Sequence, residues 1–236
     1  MRILLLATLA ACATTQPPPP AASSSPPVAV AAAKPERFDN KIRQDFFDGI
    51  RGDAAALDRA QKLCEDTLAK HPDQPEALVW HGAALAARST LAFRSGDRDT
   101  GLALYQKGTD EMDRAVSLAP TAVEVRIPRG AVYLTMAHFV PQPEQTKLVE
   151  RGLSDYEATL AAQAPYFATL TLHAREQLLF GLTDGYAMVG NTDKARATYE
   201  RMRHDAAGSA LLTRAAERAA GHEVAGNTPC EQCHAR

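Results

Sequence analysis

Apolar and small residues recur at helical spacing along most of the chain, and short polar stretches containing glycine interrupt them. The stretch 179–202 shows the pattern most clearly, with Leu182 and Tyr186 on one helical face. Gly190 then breaks the pattern, and a second apolar face begins at Ala195. Two amphipathic helices joined by so short a break are expected to pack against each other as a hairpin.

The same spacing recurs in order along the chain. The second helix of each predicted hairpin carries three residues at positions i, i+4 and i+7, and the first of them is small. The sets are Ala60/Cys64/Thr67, Gly108/Met112/Ala115, Gly152/Tyr156/Thr159 and Ala195/Tyr199/Met202. In the first helix a small residue stands three positions before a bulky one, in Gly82 to Leu85, Gly130 to Tyr133 and Thr183 to Tyr186. Small residues let helix backbones approach, and bulky ones fill the grooves between them. The pattern therefore predicts a series of stacked hairpins.

This spacing resembles the tetratricopeptide repeat (TPR), whose pattern is W-x2-L-G-x2-Y followed by A-x3-F. The matching positions are Leu179, Leu182, Thr183, Tyr186, Ala195 and Tyr199. The chain departs from the pattern where Leu179 replaces Trp, Thr183 replaces Gly and Ala207 replaces the closing Pro. The resemblance covers about residues 41–204 and implies an all-α fold, a right-handed α-solenoid of TPR-like helical hairpins. It also implies a non-catalytic scaffold that binds an unknown protein partner.

Nine helices are predicted, near 41–51, 54–70, 75–94, 99–118, 122–138, 144–163, 167–189, 192–204 and 208–220. The hairpins are unequal, because more residues separate Gly82 from Gly108 than separate Thr183 from Ala195. The additional residues stay helix-like on both sides of Gly96, so some hairpins are expected to have lengthened arms. Such projections are candidate binding edges, and tolerated surface insertions explain them equally well.

The N-terminus resembles the export signal of a bacterial lipoprotein. Residues 1–11 contain one basic residue and a short apolar run, and Leu9-Ala10-Ala11-Cys12 is similar to a lipobox. The resemblance implies cleavage before Cys12, lipidation of that cysteine, and attachment to a membrane of the bacterial cell envelope facing the periplasm. The outer membrane is favoured, because Ala13 is not the acidic residue associated with inner-membrane retention. The alternatives are an ordinary signal cleaved after Ala13 and a start codon assigned too far downstream.

The composition divides the mature chain into three parts. Residues 12–37 form a predicted disordered linker rich in Pro, Ala and Ser, in which 7 of the 15 prolines lie between 13 and 36. Residues 38–221 form the predicted TPR-like helical domain, and residues 222–236 form a C-terminal tail.

The tail contains Cys230-Glu231-Gln232-Cys233-His234, which is the C-x-x-C-H attachment sequence of c-type haem. Two thiols at this spacing reach both vinyl groups of one haem, and His234 is then placed to ligate the iron. Cytochrome c domains, however, have most of their fold after the motif, whereas only two residues follow here. Three interpretations therefore stay open: a haem c site, a Cys230–Cys233 disulfide or redox pair, and a partial zinc site needing a fourth ligand such as His222. Candidates for a second haem ligand are His222, His204 and Met202.

Other residues indicate structural roles. Cys64 and Trp80 are predicted core residues, and His138 and His173 have no partner at metal or catalytic spacing. The acidic residues Asp110, Glu111 and Asp113 are predicted to lie on a solvated helix face. No catalytic motif is present, so no enzymatic activity is expected. The formal net charge of -2 and the scattered basic residues argue against nucleic-acid binding.

Overall fold

The computed structural model describes residues 37–222, and this part of the chain is all-α, with no strand in it. The α-helices are α1 (Phe38–Ile50), α2 (Ala54–Leu68), α3 (Pro75–Arg94), α4 (Arg98–Leu118), α5 (Val123–Ala137), α6 (Glu144–Gln163), α7 (Leu172–Met188), α8 (Thr192–Asp205) and α9 (Leu212–Ala219). A short 3-10 helix, Ala164–Thr169, lies between α6 and α7. The prediction of an all-α chain is confirmed. The signal, the lipobox, the linker up to residue 36 and the C-x-x-C-H motif lie outside the described residues.

The predicted helix positions agree closely with the observed ones except at three ends. The first helix begins at Phe38 rather than near 41, and the last is only eight residues long, Leu212–Ala219. The seventh begins at Leu172 rather than near 167, because the 3-10 helix that contains Pro165 comes first. Tyr166 within this segment has a non-helical backbone conformation (φ -131°, ψ 15°).

The turns that join α1 to α2, α3 to α4 and α7 to α8 have the same structure. Each contains a glycine with positive φ, followed by an Asp or Asn that caps the next helix. The glycines are Gly52, Gly96 and Gly190, and the capping residues are Asp53, Asp97 and Asn191. Each capping side chain accepts a hydrogen bond from a backbone N–H in the first turn of its helix. Glycine supplies the left-handed conformation that a residue with a Cβ rarely adopts.

Consecutive helices pack as antiparallel pairs, with the most extensive contacts between α3 and α4, between α5 and α6, and between α7 and α8. The turns inside the pairs, at 51–53, 95–97, 138–143 and 189–191, therefore lie at one side of the described body, which we call the hairpin-turn edge. The connections between pairs, at 69–74, 119–122 and 164–171, lie at the other side, the connector edge. Helix α9 packs against α7 and α8 at the C-terminal end of this body.

The small residues singled out in the sequence mark the closest approaches between helices. A Cβ added to Gly82 would lie 2.5 Å from the backbone oxygen of Gly108, and one added to Gly130 would lie 2.7 Å from the ring of Tyr156. Cys64 and Trp80 are buried in the core, as predicted. The helix pairs are therefore held together by close backbone packing around small residues.

A buried ion-pair network joins the second and third pairs. Asp155 is fully buried and accepts three hydrogen bonds of 2.7 Å, one from Arg126 and two from Arg129. Arg129 also donates to Asp113 on α4, which accepts a 2.7 Å hydrogen bond from the hydroxyl of Tyr133. The network fixes α4, α5 and α6 relative to one another.

Candidate functional site

The α3–α4 pair extends furthest at the hairpin-turn edge. Twelve residues of α3 follow Gly82, whereas seven residues of α5 follow Gly130 and five of α7 follow Thr183. At 1.5 Å per residue, the additional five to seven residues correspond to about 8–10 Å of helix. We call this extension, residues 89–103, the α3–α4 arm.

The α3–α4 arm carries exposed apolar side chains. Leu91, Phe93 and Leu102 are exposed over 52%, 41% and 47% of their surface. The Phe93 ring lies against Gly101, where an added Cβ would approach Phe93 Cε1 to 2.6 Å. Large apolar side chains left exposed near one hairpin turn are candidates for contact with a protein partner.

A second feature of the same edge joins three helices through one carboxylate. Asp184 on α7 is hydrogen-bonded to His138, the residue directly after α5, with 2.8 Å between Oδ2 and Nε2. Its other oxygen accepts a hydrogen bond from Nε of Arg218 on α9. Arg218 also donates from Nη1 to the backbone oxygen of His222 over 3.2 Å. We call these four residues the Asp184 cluster.

The electrostatics of the Asp184 cluster keep its carboxyl group ionised. Burial alone would raise the pKa of Asp184, but the hydrogen bonds and charges of His138 and Arg218 outweigh it and lower that pKa. A carboxylate can only accept hydrogen bonds, so Nε2 of His138 carries the proton in this contact. In the neutral imidazole the lone pair is then on Nδ1. The His138 side chain retains 36% exposure, so the cluster combines a buried anion with an accessible imidazole.

The residues predicted as second haem ligands differ in accessibility. Met202 is fully buried in the core, so it is not available to a haem at the surface. His204 is 89% exposed and bonded to Asp205, and His222 is 67% exposed and bonded to Glu217. Cys12, Cys230, Cys233 and His234 lie outside the described residues.

His138 has no partner nearby in the sequence, but the structure brings one to it. Its partner Asp184 is 46 residues away in sequence, so no local pattern could have revealed the pair. The acidic residues Asp110, Glu111 and Asp113 are likewise not simply a solvated face. Glu111 binds His81, and Asp113 belongs to the buried network described above.

An open groove of about 380 Å³ lies between α2 and α3 and is lined by Asp58, Gln61, Lys62, Glu65 and Arg88. Arg88 bridges it by binding Asp58 and Gln61. The neighbouring His81 is buried, with Nδ1 2.5 Å from Glu111 and Nε2 3.7 Å from Glu65. Across 37–222 no three or more His, Cys, Asp or Glu side chains come together as a metal site.

Cys64 has no role as a reactive thiol in this structure. The side chain is fully buried, and burial, together with the charges of Glu111 and Glu65, raises the pKa of its thiol. The nucleophilic thiolate is therefore strongly disfavoured. Among the helices that the structure describes, none is both long enough and apolar enough to cross a membrane.

Comparison with known proteins found no family model, curated protein or solved structure that matches this chain.

Proposed function

We propose that this protein is an exported, membrane-tethered scaffold of TPR-like hairpins that binds a protein partner at the hairpin-turn edge and catalyses no reaction. The α3–α4 arm carries the proposal, because its large apolar side chains Leu91, Phe93 and Leu102 are each exposed to water over 41–52% of their surface. Antiparallel pairs in the order α1–α2, α3–α4, α5–α6 and α7–α8, with α9 covering the last pair, support a TPR-like solenoid.

The tether in this proposal is lipid attached to Cys12 after the N-terminal signal has been cleaved. Lipid attached to Cys12 would hold the protein on a membrane of the cell envelope, with the outer membrane favoured. The linker 12–37 would separate the lipid from the helical body, since its Pro-rich composition favours an extended chain.

Two leucines of α4 offer a matched test. Leu102 lies in the α3–α4 arm and is 47% exposed, whereas Leu118 lies near the connector edge and is 45% exposed. A photoreactive amino acid placed at each position in cells that produce the protein should give a defined crosslinked adduct at Leu102 and little at Leu118. In the variant carrying the photoreactive residue at Leu102, the further substitution Leu91→Gln should weaken the adduct. Equal crosslinking at both positions, or none at Leu102, would refute binding through the arm.

We propose covalent haem attachment at the tail as a second function, that of a monohaem c-type electron carrier or haem sensor. It is supported by Cys230, Cys233 and His234, which stand in C-x-x-C-H order in the sequence. A bound haem would supply reversible one-electron chemistry at iron. The two functions are compatible, because the scaffold would place the redox group near its partner.

The test is the absorption spectrum and intact mass of the full chain, produced in a periplasm that contains the c-type haem attachment machinery. Sharp absorption bands on reduction and a mass increase of one haem, both lost in Cys230→Ala, are expected. A colourless protein carrying only lipid, with or without a Cys230–Cys233 disulfide, would refute the haem function and leave the scaffold.

A further inference from the structure

His81 of α3 is buried between carboxylates of the two helices on either side of it in the chain. Its Nδ1 lies 2.5 Å from Oε2 of Glu111 on α4, and its Nε2 lies 3.7 Å from Oε1 of Glu65 on α2. The imidazole side chain is only 6% exposed. A carboxylate accepts hydrogen bonds and cannot donate them, so Nδ1 carries the proton in its contact with Glu111.

The second ring nitrogen, Nε2, is left without a hydrogen-bond partner. In the neutral imidazole it carries only a lone pair, and it is buried from water. The nearest carboxylate, that of Glu65, is itself an acceptor and lies beyond hydrogen-bond distance. A buried polar atom without a partner costs free energy. A proton on Nε2 would turn this atom into a donor beside an acceptor.

The charges around His81 favour such a proton. A buried cation is costly by itself, and nearby carboxylates offset that cost. Among the residues that the structure describes, Glu65 of α2 and Glu111 of α4 supply all the ion-pair contacts of His81, and α1 and α5, which also pack against α3, supply none. Lys107 of α4 lies 3.9 Å from Glu111 and is 62% exposed. Cys64 stays an uncharged thiol, because burial and the same two carboxylates raise its pKa.

Glu65 connects His81 to the groove between α2 and α3. Its Oε1 accepts a 2.8 Å hydrogen bond from Nε2 of Gln61, whose Oε1 accepts a 2.5 Å hydrogen bond from Nε of Arg88. Arg88 also binds Asp58. These four residues line the groove. A hydrogen bond from His81 to Glu65 would therefore complete a chain that crosses between the two helices at both of its ends.

We propose that His81 and Glu65 form a pH-dependent contact between α2 and α3, in which Nε2 of His81 takes up a proton and donates a hydrogen bond to Glu65. Histidine is the side chain whose charge ordinarily changes between about pH 5 and 8, so the contact forms on mild acidification. Only the folded chain makes it, so its stabilisation is present at the lower pH and is lost as pH rises. The contact strengthens the attachment of the α1–α2 pair to the α3–α4 pair.

The direct test is nuclear magnetic resonance of the imidazole nitrogens in the full chain, with His81→Gln identifying the signals of His81. At about pH 8 only Nδ1 of His81 should be protonated, and at about pH 5.5 both nitrogens should be. A wild type in which Nε2 carries the proton at the higher pH, or in which His81 stays neutral at the lower pH, would overturn the inference. This measurement on the wild type does not depend on the stability of any variant.

A double-mutant cycle in urea unfolding tests the contact itself. Relative to the wild type, His81→Gln and Glu65→Ala should each lower the unfolding midpoint more at about pH 5.5 than at about pH 8, because neither variant can form the contact. At the lower pH the double variant should lose less than the sum of the two single losses. The control His71→Gln, at an exposed residue of the connection between α2 and α3, should differ from the wild type equally at both pH values. Additive losses at the lower pH, or a coupling of the same size at both, would refute the contact.

Discussion

Asp155 offers the sharpest test of how the helix pairs are held together. The substitution Asp155→Ala removes the acceptor of three hydrogen bonds and leaves Arg126 and Arg129, whose side chains are only 17% and 12% exposed, without their shared carboxylate. Removing one partner of a buried ion pair typically costs about 3–5 kcal/mol, because the remaining charge is left poorly solvated. This loss of stability is a large fraction of the roughly 5–15 kcal/mol free energy of unfolding of a typical domain.

Thermal and urea unfolding, followed by circular dichroism at 222 nm, measure this cost. For a domain of this size, about 1 kcal/mol corresponds to a shift of roughly 2–4 °C in Tm. Asp155→Ala should therefore lower Tm by roughly 6–20 °C. The control is Asp58→Ala, which removes an ion pair with Arg88 in which Asp58 is 68% exposed. An exposed pair contributes about 0–1 kcal/mol, so this variant should unfold close to the wild type. Equal, small decreases of Tm in both variants would refute the argument that burial makes the Asp155 network contribute strongly to stability.

Two further predictions concern close packing and acid sensitivity. Gly82→Ala should destabilise the protein by about 1–3 kcal/mol in urea unfolding, because the added Cβ would meet the backbone of Gly108. The control Gly208→Ala should have little effect, because the nearest atom to its added Cβ is 3.4 Å away. Similar unfolding midpoints for the two variants would contradict the packing argument. Asp184→Asn should destabilise the protein at neutral pH. Since folding lowers the pKa of Asp184 below its ordinary value of 3.8, the stability it contributes is present above that value and is lost as pH falls. The difference in unfolding free energy between wild type and Asp184→Asn should thus shrink as pH falls below about 4, and a constant difference would refute this assignment.

The sequence predicts the helices well because local signals determine them. Gly96 and Asp97 mark a turn and a helix start through backbone conformation and capping, which act within a few residues. The small residues Gly82 and Gly108 indicate a close helix contact, and the two backbones do meet. The 3-10 segment before α7 is the main departure, since periodicity alone does not distinguish a regular helix from the tighter turns around Pro165.

The candidate site is less predictable, because its residues come from distant parts of the chain. His138 and Arg218 meet at Asp184 only through the packing of α5, α7 and α9. Asp155 occupies a helix that also carries exposed acids, and its complete burial depends on the two arginines supplied by α5. Sequence periodicity identifies a helical face but not which charged residue of that face a neighbouring helix will cover.

The two ends of the described body lie at opposite edges. The chain enters at Arg37, immediately before α1 at the connector edge, and leaves at His222, beside the ends of α5 and α7 at the hairpin-turn edge. The 17 residues of α7 span about 25 Å between these edges. The folded body therefore acts as a rigid spacer. Whatever is joined to one end of the described residues is thereby kept about one helix length away from whatever is joined to the other.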